Sequence, residues 1–194
     1  MAACLLSAAP ASPSTPAPVA PELRALKDSL SRTRKVSARF TQTRHWAALQ
    51  DALVTHGSFQ YQKGGRLVWR TDKPSESELI LEGQSAVIRY PALGTSQAID
   101  FSAEPAMARV FDSISAVVQA DLDRLQPLFE LTLERKAPLR LVLEPRSAEL
   151  AQTVQRIQLE FDAKHHLMKV LLDESGGDRT EIAFREHVTE AASR

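Results

Sequence analysis

FTQTRHW (40–46), GSFQYQ (57–62), GRLVWR (65–70), SELILEG (77–83) and AVIRY (86–90) are five short segments whose reading decides the fold. Phe40, Phe59, Tyr61, Leu67, Trp69, Leu79 and Leu81 recur with period two, the spacing that puts one row of side chains on one face of a pleated strand. Aromatic and β-branched residues fill the segments and turn residues separate them. The run predicts a half-buried antiparallel sheet with an apolar concave face. Its chemistry is that of holding something apolar, and nothing in it reads as a catalytic machine.

Outward from this run the punctuation is local. Lys63-Gly64-Gly65 turns the first hairpin, Asp72-Lys73-Pro74-Ser75 and Glu82-Gly83 turn the next two, and Pro91 ends the series, as in a meander. Upstream, PELRALKDSLSRTRKV spaces Leu23, Leu26 and Leu30 at helical intervals behind Pro21, a short amphipathic helix lying on the body. In VSARFTQTRHW, Val36, Ala38, Phe40 and Trp46 share one face of a strand. Downstream, EPAMARVFDSISAVVQADLDRL sets Met107, Val110, Phe111, Ile114, Val117 and Val118 on one helical stripe. Alternation then returns in LFELTLE, PLRLVLE, VQRIQLEFD, LMKVLLD and DRTEIAFRE. The sum is about ten strands in a single sheet interrupted once by a helix.

Right-handed twist accumulates over so many antiparallel strands, so the sheet curls toward a barrel and acquires an inside. The Met107, Phe111, Ile114 and Val118 stripe laid across the open side would fill or lid it. Period and composition leave both a solid core and a cavity open.

With 194 residues, 43% of them hydrophobic, the chain has material for one sizeable core. Lys plus Arg and Asp plus Glu stand at 24 each, so no basic field draws in nucleic acid and no polybasic run holds an anionic membrane. Cys4 is the one cysteine and lies in the leader-like start, so the body has neither a disulfide nor a thiolate metal site. Residues 1–20 combine a short apolar run, Ala9-Pro10-Ala11 like a small-residue cleavage site, and a Pro/Ala/Ser stretch. They read as a residual signal peptide and disordered linker, without a positive n-region and too short to span a bilayer. Cys4 lacks the small and apolar residues that precede a lipid-modified cysteine. The organisation expected is one domain over 21–188 and a flexible tail over 189–194.

No hydrolase elbow, zincin helix, dinucleotide fingerprint or P-loop is present, and no catalytic residue, metal ligand or cofactor is assigned. His165 and His166 form the one adjacent histidine pair; neighbours on a strand point to opposite faces, so they are read as a solvated turn. Arg39, Arg44, Arg66, Arg70 and Arg89 gather on the five-segment run, where they are either ordinary surface arginines or a grip for a lipid headgroup at a cavity mouth.

In their order, VSARFTQT, Gly57-Ser-Phe-Gln-Tyr61, Leu67-Val-Trp69, the turn at Pro74, SELILEG, AVIRYP and GGDRTEIAF resemble the periplasmic outer-membrane lipoprotein carriers of Gram-negative bacteria, the LolA family. The resemblance implies an unclosed, strongly curved antiparallel β half-barrel, mainly β with α, carrying a helical lid over a hydrophobic cavity. It implies acyl cargo, either lipoprotein or other lipid, moved between an inner-membrane exporter and an outer-membrane acceptor by a monomeric, non-enzymatic protein in the periplasm. The lipid-binding set it implies is Phe40, Trp46, Phe59, Leu67, Trp69, Leu79, Leu81, Met107, Phe111, Ile114 and Val118.

Two departures stand out. The family's lid-latching Arg before a Pro falls at Lys63-Gly64, with Arg66 and Arg89 as the other latch or headgroup candidates. The carriers usually run on through a further loop and strand after DRTEIAF, whereas this chain reaches Arg194, so the lipoprotein-specific handover is expected to be missing. The loop HWAALQDALVTHG with GRLVWR and KPSES is more similar to the branch found beside polyketide-type lipid biosynthesis, such as aryl polyene pathways. A lipid- or lipoprotein-sensing module and an enzyme using the same cavity are the competing functions.

Overall fold

The computed structural model describes residues 20–83, 85–100, 116 and 121–191. Helix α1 (Pro21–Ser31) precedes β1 (Thr33–His45), β2 (Leu53–Gln62), β3 (Arg66–Lys73), β4 (Ser77–Glu82), β5 (Ser85–Tyr90) and β6 (Thr95–Asp100). Strands β7 (Phe129–Lys136), β8 (Leu139–Pro145), β9 (Val154–Phe161), β10 (Leu167–Glu174) and β11 (Arg179–Ala191) follow. All eleven make one sheet in the order β6-β5-β4-β3-β2-β1-β11-β10-β9-β8-β7. Each half is a run of antiparallel hairpins, and β1 joins them by pairing with β2 on one side and β11 on the other, so Phe40 stands opposite both Gly57 and Phe184. β6 and β7 are the outer strands and do not pair with each other, which leaves an unclosed half-barrel.

The period-two rows become continuous ribs across the sheet. Val36, Tyr61, Leu67, Leu81, Ala86 and Ile99 are successive register partners from β1 to β6. Leu133, Leu141, Leu159, Val170 and Ile182 do the same from β7 to β11. Leu67, Leu141 and Leu159 are essentially removed from solvent. Burying each such side chain stabilises the fold by about 1.5–3 kcal/mol before chain entropy is set against it.

Helix α1 is a strap over this apolar face. Its Leu26 is fully buried, and Leu23 and Leu30 pack on the same core. Near its start the Glu22 carboxylate accepts from Lys136 Nζ at 2.6 Å, at the end of β7. At its far end Lys63 Nζ, beyond β2, donates to the Ser31 carbonyl at 3.0 Å, a cation placed at the negative end of the helix. No helix among the described residues is long and apolar enough to cross a membrane.

The sheet extends beyond the expected strands at two places. Thr95–Asp100 adds β6, re-entered through Pro91–Leu93 and Gly94 at φ 62°. Residues 189–191, expected as tail, continue β11 and pair with residues 33–36 of β1. The stripe residues Met107, Phe111, Ile114 and Val118 lie outside the described residues; Ala116, Leu122 and Leu125 beside them are buried in the common core.

Candidate binding site

Four aromatic rings meet at the junction of the two half-sheets. Phe40 stacks on Trp69 with centroids 4.1 Å apart, Phe59 meets Phe184 edge-on at 5.2 Å, and Trp69 meets Phe184 at 6.2 Å and 88°. Offset and edge-to-face geometry adds about 0.5–1.5 kcal/mol per pair beyond burial. Leu67 and Leu81 are buried in the same cluster and Leu79 packs against it. Six of the expected apolar residues thus lie together on one face.

The others fall elsewhere. Trp46 lies just past the end of β1, outside the core cluster, with the Arg44 guanidinium 5.3 Å from its ring. Arg66 pairs with Glu82 at 3.8 Å and Arg89 with Glu78 at 3.1 Å, each with its register partner on the next strand and each more than half exposed. Alternation sets both arginines on the face opposite Leu67, Leu81 and Ala86, away from any mouth of the apolar face. Among the described residues, Lys63 is the one of the three latch candidates that touches a helical strap, and that strap is α1.

Two cavities adjoin beneath the C-terminal turn of α1, sharing Leu30, Thr33 and Tyr61. The larger, about 350 Å³, is lined by Lys27, Asp28, Lys63, Asp121 and Asp123 among others. The smaller, about 130 Å³, has Leu30, Val36, Phe59 and Leu167 on its apolar side, and Lys164, His165, His166 and His187 at its rim. Burial first, and the Asp121 charge second, push the Tyr61 hydroxyl pKa upward.

The rim is built by a tight loop and a bulge. Asp162 Oδ1 accepts from the N–H groups of Lys164 and His166 at 2.9 and 2.8 Å, and Oδ2 lies 2.9 Å from His166 Nδ1. Partial burial works to raise the Asp162 pKa, but these hydrogen bonds outweigh it and hold the carboxyl below its usual range. The His166 and His187 rings stack at 5.0 Å and 11°. His187 Nε2 lies 2.9 Å from the Leu167 carbonyl, which can only accept, so Nε2 carries the hydrogen. Burial first, and the His166 neighbour, lower the His187 pKa against the pull of that carbonyl and of Asp162.

Sequence reasoning missed this rim because alternation is broken in β11. Ser37 pairs with Val188 and Arg39 with Arg185, so Ala38 alone spans both Glu186 and His187. Glu186 takes the extra position at φ 57°. Counting by twos from buried Phe184 would place Glu186 inside and His187 outside, and the bulge exchanges them. Among the described residues no three His, Cys, Asp or Glu side chains converge as a metal site requires.

Fold and site together define an open β half-barrel organised around an apolar face and strapped by a helix. The sequence matches the family model described as outer membrane lipoprotein carrier protein LolA over residues 31–193, and the chain belongs to that family. No curated protein sequence matches it. Among solved structures it is similar to a chain of the Pseudomonas aeruginosa MucA/MucB complex, at 18% identity and TM-score 0.46 over 88% of this chain and 59% of that one. A LolA superfamily protein of Nitrosomonas europaea is similar at 6% identity and TM-score 0.43, over 88% and 94% of the two chains. The Mycobacterium tuberculosis lipoprotein LppX is similar at 10% and 0.45, over 84% and 91%. The chain spans 60% of MucB.

Proposed function

We propose that this protein is a non-catalytic periplasmic carrier, acting as a monomer, that takes the acyl chains of a lipoprotein or another lipid onto its concave face. In this reading an inner-membrane exporter loads it and an outer-membrane acceptor unloads it, and the unit that does so is the single domain over 21–188. The observation that supports it most is the aromatic and aliphatic face of Phe40, Phe59, Leu67, Trp69, Leu79 and Leu81, continuous with the core on which Leu23, Leu26 and Leu30 of α1 pack, a helix tied among the described residues by Glu22 to Lys136, Lys27 to Asp123 and Lys63 to Ser31. Lifting α1 would leave every strand pairing of the sheet intact and would cost mainly the burial of Leu23, Leu26 and Leu30, an apolar surface that an acyl chain entering beneath the helix would cover again. Each methylene then covered is worth about 0.8 kcal/mol, enough for useful affinity without a catalytic or polar centre. Met107, Phe111, Ile114 and Val118 would complete the apolar enclosure, with Trp46 at the rim.

Native mass spectrometry of protein purified from its own periplasm, followed by organic extraction, tests this. A stoichiometric acylated species supports the carrier and tells lipoprotein from a pathway lipid of the aryl polyene kind. An apo mass together with failure to bind any added acyl lipid overturns it.

A further inference from the structure

The basic rim of the smaller cavity has no role in shielding an acyl chain. Lys164, His165, His166 and His187 line it beside Leu30, Val36, Phe59 and Leu167, and no carboxylate is among its described lining residues. Asp162 is turned to its own loop, where both of its oxygens are engaged. The Leu167 carbonyl fixes the hydrogen of His187 on Nε2 and Asp162 engages His166 Nδ1. Nδ1 of His187 and Nε2 of His166 are therefore the ring nitrogens left to meet a ligand. The bulge at Glu186 matters here too, because an unbulged β11 would turn a carboxylate toward this cavity in place of an imidazole.

Size narrows the ligand. A volume of about 130 Å³ is below the roughly 300–1,000 Å³ of drug-sized pockets. It suits one compact group. Phe59 belongs both to this cavity and to the aromatic cluster, so the compact group would sit where an apolar chain leaves the concave face.

We propose that the Lys164, His165, His166 and His187 rim is an anion seat that holds a phosphate or carboxylate group, in an amphiphile the charged head whose chain lies on the apolar face. The placement of the chain rests on the carrier reading; the anion seat itself does not. An anion at the rim supplies the opposite charge that lets the His187 imidazole take a proton against its burial, so binding strengthens as pH falls. The groups facing His187 in this balance are Asp162, Lys164, His165 and His166 of the β9–β10 loop and Tyr61 of β2. Helix α1 and β1 contribute uncharged Ser29, Leu30, Thr33 and Val36, and β11 itself Thr189.

The test titrates the full chain with lysophosphatidylglycerol, with the uncharged monoacylglycerol of the same chain length, and with inorganic phosphate, reading heat of binding and imidazole NMR signals. The expected result is about tenfold tighter binding of the anionic lipid than of its neutral match, widening from about pH 7.5 to about 5.5. In K164Q/H166Q/H187Q that ratio falls to about one while monoacylglycerol binding is unchanged. Equal binding of the two lipids, or a ratio flat with pH in the unmodified protein, overturns the seat and leaves the carrier standing; the pH series needs no variant to fold. If neither lipid binds, the carrier reading fails, and phosphate decides the seat alone. Shifts of the His166 and His187 signals with phosphate then establish a site for the free anion, and their absence overturns it.

Discussion

The ring of Phe40 lies directly over Gly57, its register partner on β2: a methyl group at residue 57 would stand 2.6 Å from Phe40 Cζ and 1.9 Å from the Arg70 carbonyl oxygen. The missing side chain gives the ring a bed across which it reaches Trp69 on β3, where the two stack. The aromatic cluster therefore depends on an atom that is not there.

Gly57→Ala should accordingly destabilise the protein as an overpacked core does, by about 1–3 kcal/mol. A chain of this size loses about 2–4 °C in Tm per kcal/mol. Thermal unfolding followed by the fluorescence of Trp46 and Trp69 checks it, and an unchanged Tm would mean that Phe40 does not occupy this bed.

Arg66→Ala and Arg89→Ala should leave stability within about 0.5 kcal/mol of the parent and leave acyl-lipid binding unchanged, since both arginines are solvated partners of Glu82 and Glu78. A drop in lipid affinity for either would restore the outer arginines as part of the mouth. Equilibrium binding of one fluorescent fatty acid to both variants is sufficient.

Lys63→Ala should act differently from those two. It removes the cation at the C-terminus of α1, a contribution of about 0.3–1 kcal/mol confined to that helix. Amide exchange over residues 26–31 should quicken while exchange in β8 and β9 stays as it was. Uniform quickening would show that α1 does not open apart from the sheet.

The loop and bulge at the rim predict an acid limb in stability. Asp162 has a folded pKa below its unfolded one, so its contribution is present above the ordinary carboxylate range and is lost as pH falls through the depressed value. His187, held neutral, contributes above the ordinary imidazole value of about 6.5 and loses that contribution as pH falls below it. Urea midpoints measured from about pH 7.5 downward should therefore decline first near the imidazole range, and in His187→Gln that first decline should shrink while the carboxylate limb persists.

Much of this fold was legible because period two is a strong signal where one face is buried. The ribs from Val36 to Ala86 and from Leu141 to Ile182 follow from it, as does α1 from Leu23, Leu26 and Leu30. β6 escaped because an edge strand needs no buried row: of Thr95–Asp100 only Ile99 is even partly covered. The outer position of Arg66 and Arg89 follows from alternation with Leu67 and Ile88, which favours the reading of ordinary surface arginines over a headgroup grip. The histidine rim was beyond pattern reading, because its three imidazoles come from two distant strand ends and one is re-aimed by an inserted residue that periodicity cannot locate.

The pairing of β1 with β11 sets a constraint in time. Phe40 and Phe184, roughly 140 residues apart, are neighbours at the middle of the sheet and not at its edges. Each run of hairpins can assemble from local contacts, but the seam closes only after nearly the whole chain is present, and such long-range pairing is slow. Until then β1 and β11 each offer an unpaired, partly apolar edge. The nascent protein thus passes through a state whose exposed edge lies at what becomes the centre of the sheet, so association through that edge competes with folding until the C-terminal strand arrives.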